Sequence, residues 1–233
     1  MRRALLVAGL VAACAAPSVE AAAPKIRQLV VFRDGSALSK TVSTRATQVR
    51  VGSRRCAAGS ATALAALVRS RPGALRLRDF GSCSTQARDG GGLFVRAIRG
   101  EANRGQDGWV YKVGRKVATA GAADPSGPFG RGRLRSGQRV TWFYGRMRGG
   151  SFQRTLELTA KRSGAGTLVV RVRGYDDDGR GVAVEGADVI SRAGQTVTGA
   201  DGTAVLSVPP GSYVLRAHKR GLVSSFGVRA TVR

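Results

Sequence analysis

The chain has 233 residues, of which 39 are Lys or Arg and 14 are Asp or Glu, so its formal net charge is +25. Most of this excess lies in residues 22–150. With 33 Gly and 6% aromatic residues, the composition favours small cores joined by many turns and argues against a fold of long helices.

The N-terminus has the three features of a secretory signal peptide in the expected order. Arg2 and Arg3 are followed by an almost unbroken apolar run over residues 4–16, which is shorter than the roughly 20 residues that a membrane-spanning helix needs. Small residues then precede a cleavage site, so we predict a signal peptide over residues 1–21, removed after Ala21.

The three cysteines carry two further predictions. Cys14 ends a lipoprotein-like box, so lipid anchoring through Cys14 is the alternative to full secretion. Removal of the signal peptide leaves Cys56 and Cys83, which predict a disulfide in an oxidising compartment, with two reduced structural thiols as the alternative. The bridge would close a loop of about 28 residues and contribute roughly 3–4 kcal/mol. We expect a secreted, extracellular protein.

Alternating or apolar segments predict a first domain over residues 26–146. One helix is expected at 60–69, with Ser60 as its N-cap and Pro72-Gly73 after its end. The connection over 121–132 is too rich in Gly and Pro for regular structure. Strands are predicted at 26–32, 47–51, 75–79, 93–98, 109–113 and 140–144.

A second, all-β domain is predicted over residues 167–233, after a linker at 147–166 whose end, Ser163-Gly164-Ala165-Gly166, contains only small residues. Its short strands are separated by turn signals, which is typical of a sandwich. These strands are expected at 167–173, 187–190, 195–198, 204–208, 212–218 and 226–232. The predicted fold class is therefore mainly β, an α+β first domain followed by an all-β sandwich.

The first domain resembles the transcobalamin-like C-terminal domain, and the resemblance covers most of residues 26–146. The motifs that carry it are Gly108-Trp109, Gly121, Leu134, Gly137-Gln138 and Val140-Thr141-Trp142. This resemblance implies a small β-grasp-like fold and a corrinoid as one candidate ligand. The chain departs from the family at Gly114-Arg115, where Asn-Gly is common, and lacks the large helical barrel of the vertebrate carriers.

The second domain resembles carboxypeptidase-regulatory-like, or transthyretin-like, modules. The resemblance covers residues 167–233 and is carried by the stretch 182–221, with its Thr-Gly-x-Asp-Gly-Thr-Ala and Pro-Gly-Ser-Tyr-x-Leu patterns. It implies a β-sandwich that acts as a structural or adhesive accessory.

Two sets of residues are candidates for ligand contact. Four aromatic residues alternate on two strands and form either core or a partly exposed platform for a ring-shaped ligand. These are Trp109, Tyr111, Trp142 and Tyr144. Basic residues flank or interleave the strands and form either solvated strand faces or a patch for anionic polymers. The candidates for anion contact are Arg50, Arg76, Arg78, Arg96, Arg133 and Arg135, with Arg99 and Arg139 beside them.

Catalytic and metal-binding constellations are not recognisable in the sequence. His218 is the single His and falls on the polar side of an alternating strand, while Asp176-Asp177-Asp178 precedes Gly179 in what we interpret as a solvated turn. We therefore expect no enzyme, no metal, no cofactor beyond the candidate corrinoid and no specific nucleic-acid partner. The expected function is a non-enzymatic envelope or extracellular module that contacts an anionic cell-surface polymer. The alternative is a small-molecule, corrinoid-like binder that uses the aromatic strands.

Overall fold

The computed structural model describes residues 22–233. The predicted signal peptide over residues 1–21, its cleavage after Ala21 and the lipid anchor at Cys14 lie outside the described residues. The prediction of a mainly β chain is confirmed, because the described part consists of several sheets and one α-helix.

Residues 22–145, the N-terminal part of the described structure, contain ten strands, one α-helix and one short 3-10 helix. In chain order they are β1 (Lys25–Val31), β2 (Ala37–Ser43), β3 (Thr47–Val51), β4 (Arg54–Ala58), α1 (Ala63–Ser70), β5 (Leu75–Asp79), the 3-10 helix (Ala87–Gly92), β6 (Leu93–Ile98), β7 (Glu101–Ala102), β8 (Gly108–Val113), β9 (Lys116–Val117) and β10 (Arg139–Gly145).

A five-stranded mixed sheet in the order β2-β1-β10-β8-β9 is the framework of this part. The central strand β10 is parallel to its neighbour β1, with Val30 beside Trp142, and the other neighbours are antiparallel. Alternate side chains point to opposite faces, so Ile26 and Val30 pack in the core that contains α1 while Leu29 faces the other way. The arrangement agrees with the predicted α+β organisation of this domain, in which several strands pack with one helix.

Helix α1 packs on this sheet through small and branched apolar residues. Leu64 and Leu67 are fully buried, as their spacing predicts. The helix begins later than expected: the N-cap is Thr62, not Ser60, because the Thr62 hydroxyl accepts a hydrogen bond from a first-turn backbone N–H. It ends at Ser70, and the C-cap residue Arg71 has a left-handed backbone conformation (φ 53°).

Two small sheets complete the N-terminal part. β3 and β4 form a hairpin, and β5, β6 and β7 form a three-stranded antiparallel sheet. The predicted disulfide is present between Cys56 on β4 and Cys83, which follows β5, so it ties the hairpin to the three-stranded sheet. The disulfide indicates an oxidising environment.

The C-terminal part is a β-sandwich with its own apolar core. Its strands are β11 (Thr155–Gly164), β12 (Thr167–Tyr175), β13 (Gly181–Ala183), β14 (Asp188–Ser191), β15 (Gly194–Val197), β16 (Thr203–Ser207), β17 (Gly211–His218) and β18 (Val228–Val232). One sheet has β12 at its centre with β11, β13 and β16, and the other has the order β15-β14-β17-β18.

The prediction of a linker over 147–166 is wrong for its second half, which is a strand. Residues 155–164 form β11, which pairs with β12 along its length, and Ala165-Gly166 make the turn between the two strands. Leu156 and Leu158 are buried on this strand. Their alternation with polar residues is a strand signal that the Gly-rich turn obscured.

The N-terminal and C-terminal parts share a third apolar cluster. Leu29, Val31 and Phe143 from the second face of the mixed sheet pack with Val223 and Phe226, which precede β18. Both faces of β10 and of the second half of β1 are therefore buried, and this explains the apolar run Leu29-Val30-Val31 at the end of β1.

A buried lysine joins the two parts next to this cluster. Lys112 on β8 is fully buried, and its Nζ donates to the carbonyl oxygens of Tyr175 and Asp176 at 3.0 and 2.8 Å. The Asp177 carboxylate lies 3.3 Å from the same Nζ and accepts a hydrogen bond from the N–H of Phe152. Burial lowers the pKa of Lys112, and Asp177 opposes this shift. The acidic run is therefore a structural contact between the parts, and our interpretation of it as a merely solvated turn is wrong.

Candidate functional site

The outer face of the β5–β6 pair carries an unusual combination of exposed side chains. Arg76, Arg78 and Phe80 alternate along β5 and its end, and Phe94 and Arg96 alternate along β6. We call these five residues the Arg–Phe face. Phe80 is 63% exposed and Phe94 44% exposed, although such side chains are normally buried.

The aromatic and cationic groups of the Arg–Phe face contact one another. Arg78 lies directly opposite Phe94 in the strand pairing, and its guanidinium carbon lies 4.7 Å from the centre of the Phe80 ring. The two phenyl rings make an edge-to-face contact at 6.2 Å. Such contacts contribute roughly 0.5–1 kcal/mol at exposed sites and hold the charge against an apolar surface.

The three arginines of the Arg–Phe face have no acidic partner. Within residues 22–233, no Asp or Glu oxygen lies within 4.0 Å of Arg76, Arg78 or Arg96. The face is therefore a site of uncompensated positive charge with guanidinium groups free to make bidentate contacts with anions.

The neighbouring β3–β4 hairpin extends this charge. Arg50 lies directly opposite Arg55, and both are exposed. Like charges in such a cross-strand pair are unfavourable by roughly 0.2–1 kcal/mol. Arg54 at the tip of the hairpin is instead neutralised by Asp79, at 2.6 Å.

The segment after β5 is held in place by the Asp79 carboxylate. Its Oδ1 accepts three backbone hydrogen bonds, from the N–H groups of Gly81, Ser82 and Cys83. Burial would raise the pKa of Asp79, but these hydrogen bonds and Arg54 keep it below its ordinary value of 3.8. Together with the disulfide, this anchoring presents the exposed ring at position 80 on a fixed support.

The remaining predicted anion contacts lie elsewhere. Arg133 donates from Nε to the carbonyl of Pro125, and Arg135 follows Leu134, whose N–H bonds to the carbonyl of Ala61. The structure thus brings Arg76, Arg78 and Arg96 together, places Arg50 on the adjoining hairpin, and leaves Arg133 and Arg135 on a separate segment.

The four candidate aromatic residues are core residues. Trp109, Tyr111, Trp142 and Tyr144 are 4%, 7%, 1% and 7% exposed, so of the two predicted alternatives the exposures favour core over a partly exposed platform. Three of them direct their polar atoms at backbone carbonyls. The exception is the indole N–H of Trp142, which is buried and has no hydrogen-bond partner in the described structure.

An apolar groove of about 420 Å³ lies beside the Arg–Phe face. Its volume is within the roughly 300–1,000 Å³ of small-molecule sites. The exposed rings of Phe80 and Phe94 belong to its lining. Buried lining residues are Leu93, Val95, Trp109, Tyr111 and Trp142, and partly exposed ones are Val110, Val117, Ala118, Ala120, Ala122 and Phe152.

The groove lies between β6 and β8, which belong to different sheets and are not paired with each other. The Asn103 side chain connects them, since its Nδ2 donates to the carbonyl of Val95 on β6 and its Oδ1 accepts from the N–H of Trp109 on β8. A side chain at Gly108 would meet the Asn103 amide at 2.6 Å, so glycine is required there.

A second cavity of about 480 Å³ lies between the N-terminal and C-terminal parts. Arg27, Arg115 and Arg139 line it together with one carboxylate, Glu157. Arg115 binds Glu157 through two hydrogen bonds of 2.9 Å, and this contact lowers the pKa of Glu157. The acid is held in an ion pair, so this cavity does not present a free general base.

The remaining candidates for chemistry are the single His and the clusters of acidic residues. His218 is exposed on β17 opposite the buried Tyr213, Leu215 and Ala217, as predicted, and its Nδ1 lies 3.1 Å from the hydroxyl of Ser224. Over residues 22–233, no cluster of three or more His, Cys, Asp or Glu residues could hold a metal ion.

Within the same residues, no helix is both long enough and apolar enough to cross a membrane.

Two features of the site were missed in the sequence. Phe80 is two residues after Arg78, and Phe94 is two residues before Arg96. Because side chains in a strand alternate between its two faces, the sequence alone would have placed both rings on the same exposed face as the arginines. Lys112 is the second: a lysine inside the apolar strand WVYKV is a signal for a buried, partnered cation.

Comparison of the chain with protein-family models, with curated proteins and with solved structures finds no match. The transcobalamin-like and carboxypeptidase-regulatory-like resemblances therefore remain predictions from the sequence.

Proposed function

We propose that the chain is a non-enzymatic binding module of the cell envelope or extracellular space, and that its Arg–Phe face contacts anionic polymers. The observation that carries this proposal is the exposure of three unpaired arginines and two phenyl rings on one face of the β5–β6 pair. The disulfide and the signal-peptide pattern support secretion, with anchoring through Cys14 as the alternative.

Electrostatics favours an anionic partner. The chain carries a net charge of +25, and Arg76, Arg78 and Arg96 have no compensating carboxylate in the described part. A polyanion would neutralise these charges and release its counterions, which is favourable at low salt. Arginine is suited to this role because its planar guanidinium binds phosphate, sulfate or carboxylate groups through paired hydrogen bonds.

The phenyl rings support a polymer that also offers ring faces. Phe80 and Phe94 lie between the arginines, so a sugar or base ring could pack on them while its charged groups contact Arg78 and Arg96. The open strand face suits an extended chain. In this proposal the C-terminal sandwich is an accessory, as its resemblance to regulatory-like modules implies.

A second candidate function is small-molecule binding, including a corrinoid, by the aromatic strands. The apolar groove favours it, because Trp109, Tyr111 and Trp142 contribute to the lining although they are mostly buried. Tyr144 is not among the lining residues.

Retention of residues 22–233 on a heparin matrix across a salt series tests the main proposal. We expect log K to fall linearly with log salt, and Arg76→Gln/Arg78→Gln/Arg96→Gln to lower the slope by about 2–3, at roughly 0.7–0.9 per contact. The matched control is Arg146→Gln/Arg162→Gln/Arg220→Gln, which removes the same charge from exposed positions elsewhere.

Equal slopes for the two triple variants would show that retention reflects net charge alone and would overturn the assignment to the Arg–Phe face. Hydrolytic turnover by the same chain that disappears in His218→Ala would contradict a non-enzymatic function.

A further inference from the structure

We infer that the apolar groove binds the hydrocarbon part of a single-chain anionic amphiphile, whose headgroup is held by Arg78 and Arg96. This inference deepens the proposed function, since it rests on anion binding by the Arg–Phe face. It assigns a ligand class to the groove: one acidic headgroup, such as a phosphate or carboxylate, joined to one apolar chain.

The groove and the Arg–Phe face are physically continuous. Phe80 and Phe94 are exposed residues of the Arg–Phe face, and both are also lining residues of the groove. The guanidinium of Arg78 lies 4.7 Å from the Phe80 ring, so its positive charge is next to an apolar wall. A ligand with its tail in the groove would therefore place its head within reach of a cation.

The lining is apolar but contains one unsatisfied donor. Trp142 lines the groove, and its Nε1–H is buried with no partner among residues 22–233. Such an unpaired group costs roughly 1–3 kcal/mol. Because this N–H is itself buried, a chain in the groove would pack against the apolar lining and leave the donor unpaired.

Charge complementarity favours an anionic headgroup at the end of the groove that meets the Arg–Phe face. Arg78 lies against the Phe80 ring there, and the one acid on β5, Asp79, is already bound by Arg54 and three backbone N–H groups. Burial of an apolar chain contributes about 25 cal/mol per Å² removed from water, so the groove would supply affinity and the arginines would select the headgroup.

The tryptophan fluorescence of the chain provides a direct test. The protein has two Trp residues, Trp109 and Trp142, and both line the groove. Residues 22–233 would be titrated with lysophosphatidylglycerol and, separately, with lysophosphatidylcholine, each below its critical micelle concentration. We expect saturable binding of the anionic lipid, with a Kd at least tenfold lower than that of the zwitterionic one.

Three variants separate the contributions of the groove and the charges. Ala118→Phe fills the groove and should raise the Kd for both lipids at least tenfold. Phe80→Ser/Phe94→Ser changes only exposed rings, keeps the proposal testable if Ala118→Phe does not fold, and should have the same direction of effect. Arg78→Gln/Arg96→Gln should abolish the preference for the anionic lipid.

Val205→Ser and Arg220→Gln are the matched controls, since each changes an exposed residue of the C-terminal part. Unchanged affinity in Ala118→Phe and in Phe80→Ser/Phe94→Ser would overturn the groove assignment, as would failure to bind either lipid. If the unaltered chain binds the anionic lipid but is not retained on heparin, the polymer-binding proposal alone is overturned.

Discussion

Replacement of the buried Lys112 by methionine is the sharpest test of how the two parts are joined. Methionine keeps most of the apolar stem but removes the ammonium, and therefore the hydrogen bonds to the carbonyls of Tyr175 and Asp176 and the contact with Asp177. Removal of one partner of a buried ion pair typically costs 3–5 kcal/mol. Because Asp177 retains some exposure and a backbone partner, we expect the free energy of unfolding to fall by about 3 kcal/mol.

The measurement is urea unfolding of residues 22–233 with linear extrapolation, followed by both tryptophan fluorescence and far-UV circular dichroism. Lys116→Met is the matched control, because Lys116 is exposed on the adjoining β9, and it should change stability by less than about 0.5 kcal/mol.

A double-mutant cycle isolates the ion pair from the carbonyl contacts. In an Asp177→Asn background, Lys112→Met should cost at least about 1 kcal/mol less than in the unaltered chain, because the charge-charge interaction is already absent. A loss below 1 kcal/mol for Lys112→Met, or an equal loss for Lys116→Met, would refute the view that this lysine links the parts.

Three further predictions concern stability. Cys56→Ala/Cys83→Ala should lower the free energy of unfolding by roughly 3–4 kcal/mol in urea titrations, since the bridge spans 27 residues, and reductant should then have no further effect. Arg115 depresses the pKa of Glu157 below its ordinary value of 4.5, so its contribution is present above that pH and is lost as pH falls through the folded-state value. Glu157→Gln should accordingly be less stable than the unaltered chain at pH 6 and approach it in acid, and parallel pH curves would contradict this. Leu215→Ala, at a fully buried position of the sandwich, should cost about 2–5 kcal/mol by the same titration.

The strands with strong apolar alternation were predictable from the sequence. The predicted strands at 47–51, 75–79 and 93–98 coincide with β3, β5 and β6, because their side chains alternate between core and solvent. The disulfide also followed from the cysteine count.

The strands that were missed have weak local signals. β2 is rich in polar residues because only Val42 is fully buried on it, and it forms through its pairing with β1. β4 contains Arg54 and Arg55 followed by small residues, so its structure depends on the hairpin and the disulfide. A strand that is stabilised mainly by its neighbours in the fold need not show an alternation of apolar and polar residues in its sequence.

The candidate site was only partly predictable. Three of the six candidate arginines lie together on the β5–β6 pair, because alternation fixed their face, but the pairing of β5 with β6 was needed to show their proximity. Arg133 and Arg135 could not be separated from them by sequence, since the irregular stretch over 121–132 has no period. Burial of the aromatic residues came from packing against α1 and the small sheets.

The parallel pairing of β1 with β10 has a consequence for how the chain folds. The β1–β2 hairpin can form as soon as residue 43 has been synthesised, but the other edge of β1 pairs with residues 139–143, so it stays open until most of the N-terminal part exists. An apolar strand with an unpaired edge is prone to intermolecular association. Refolding should therefore be slow and concentration-sensitive, because the step that closes the sheet joins segments more than 100 residues apart.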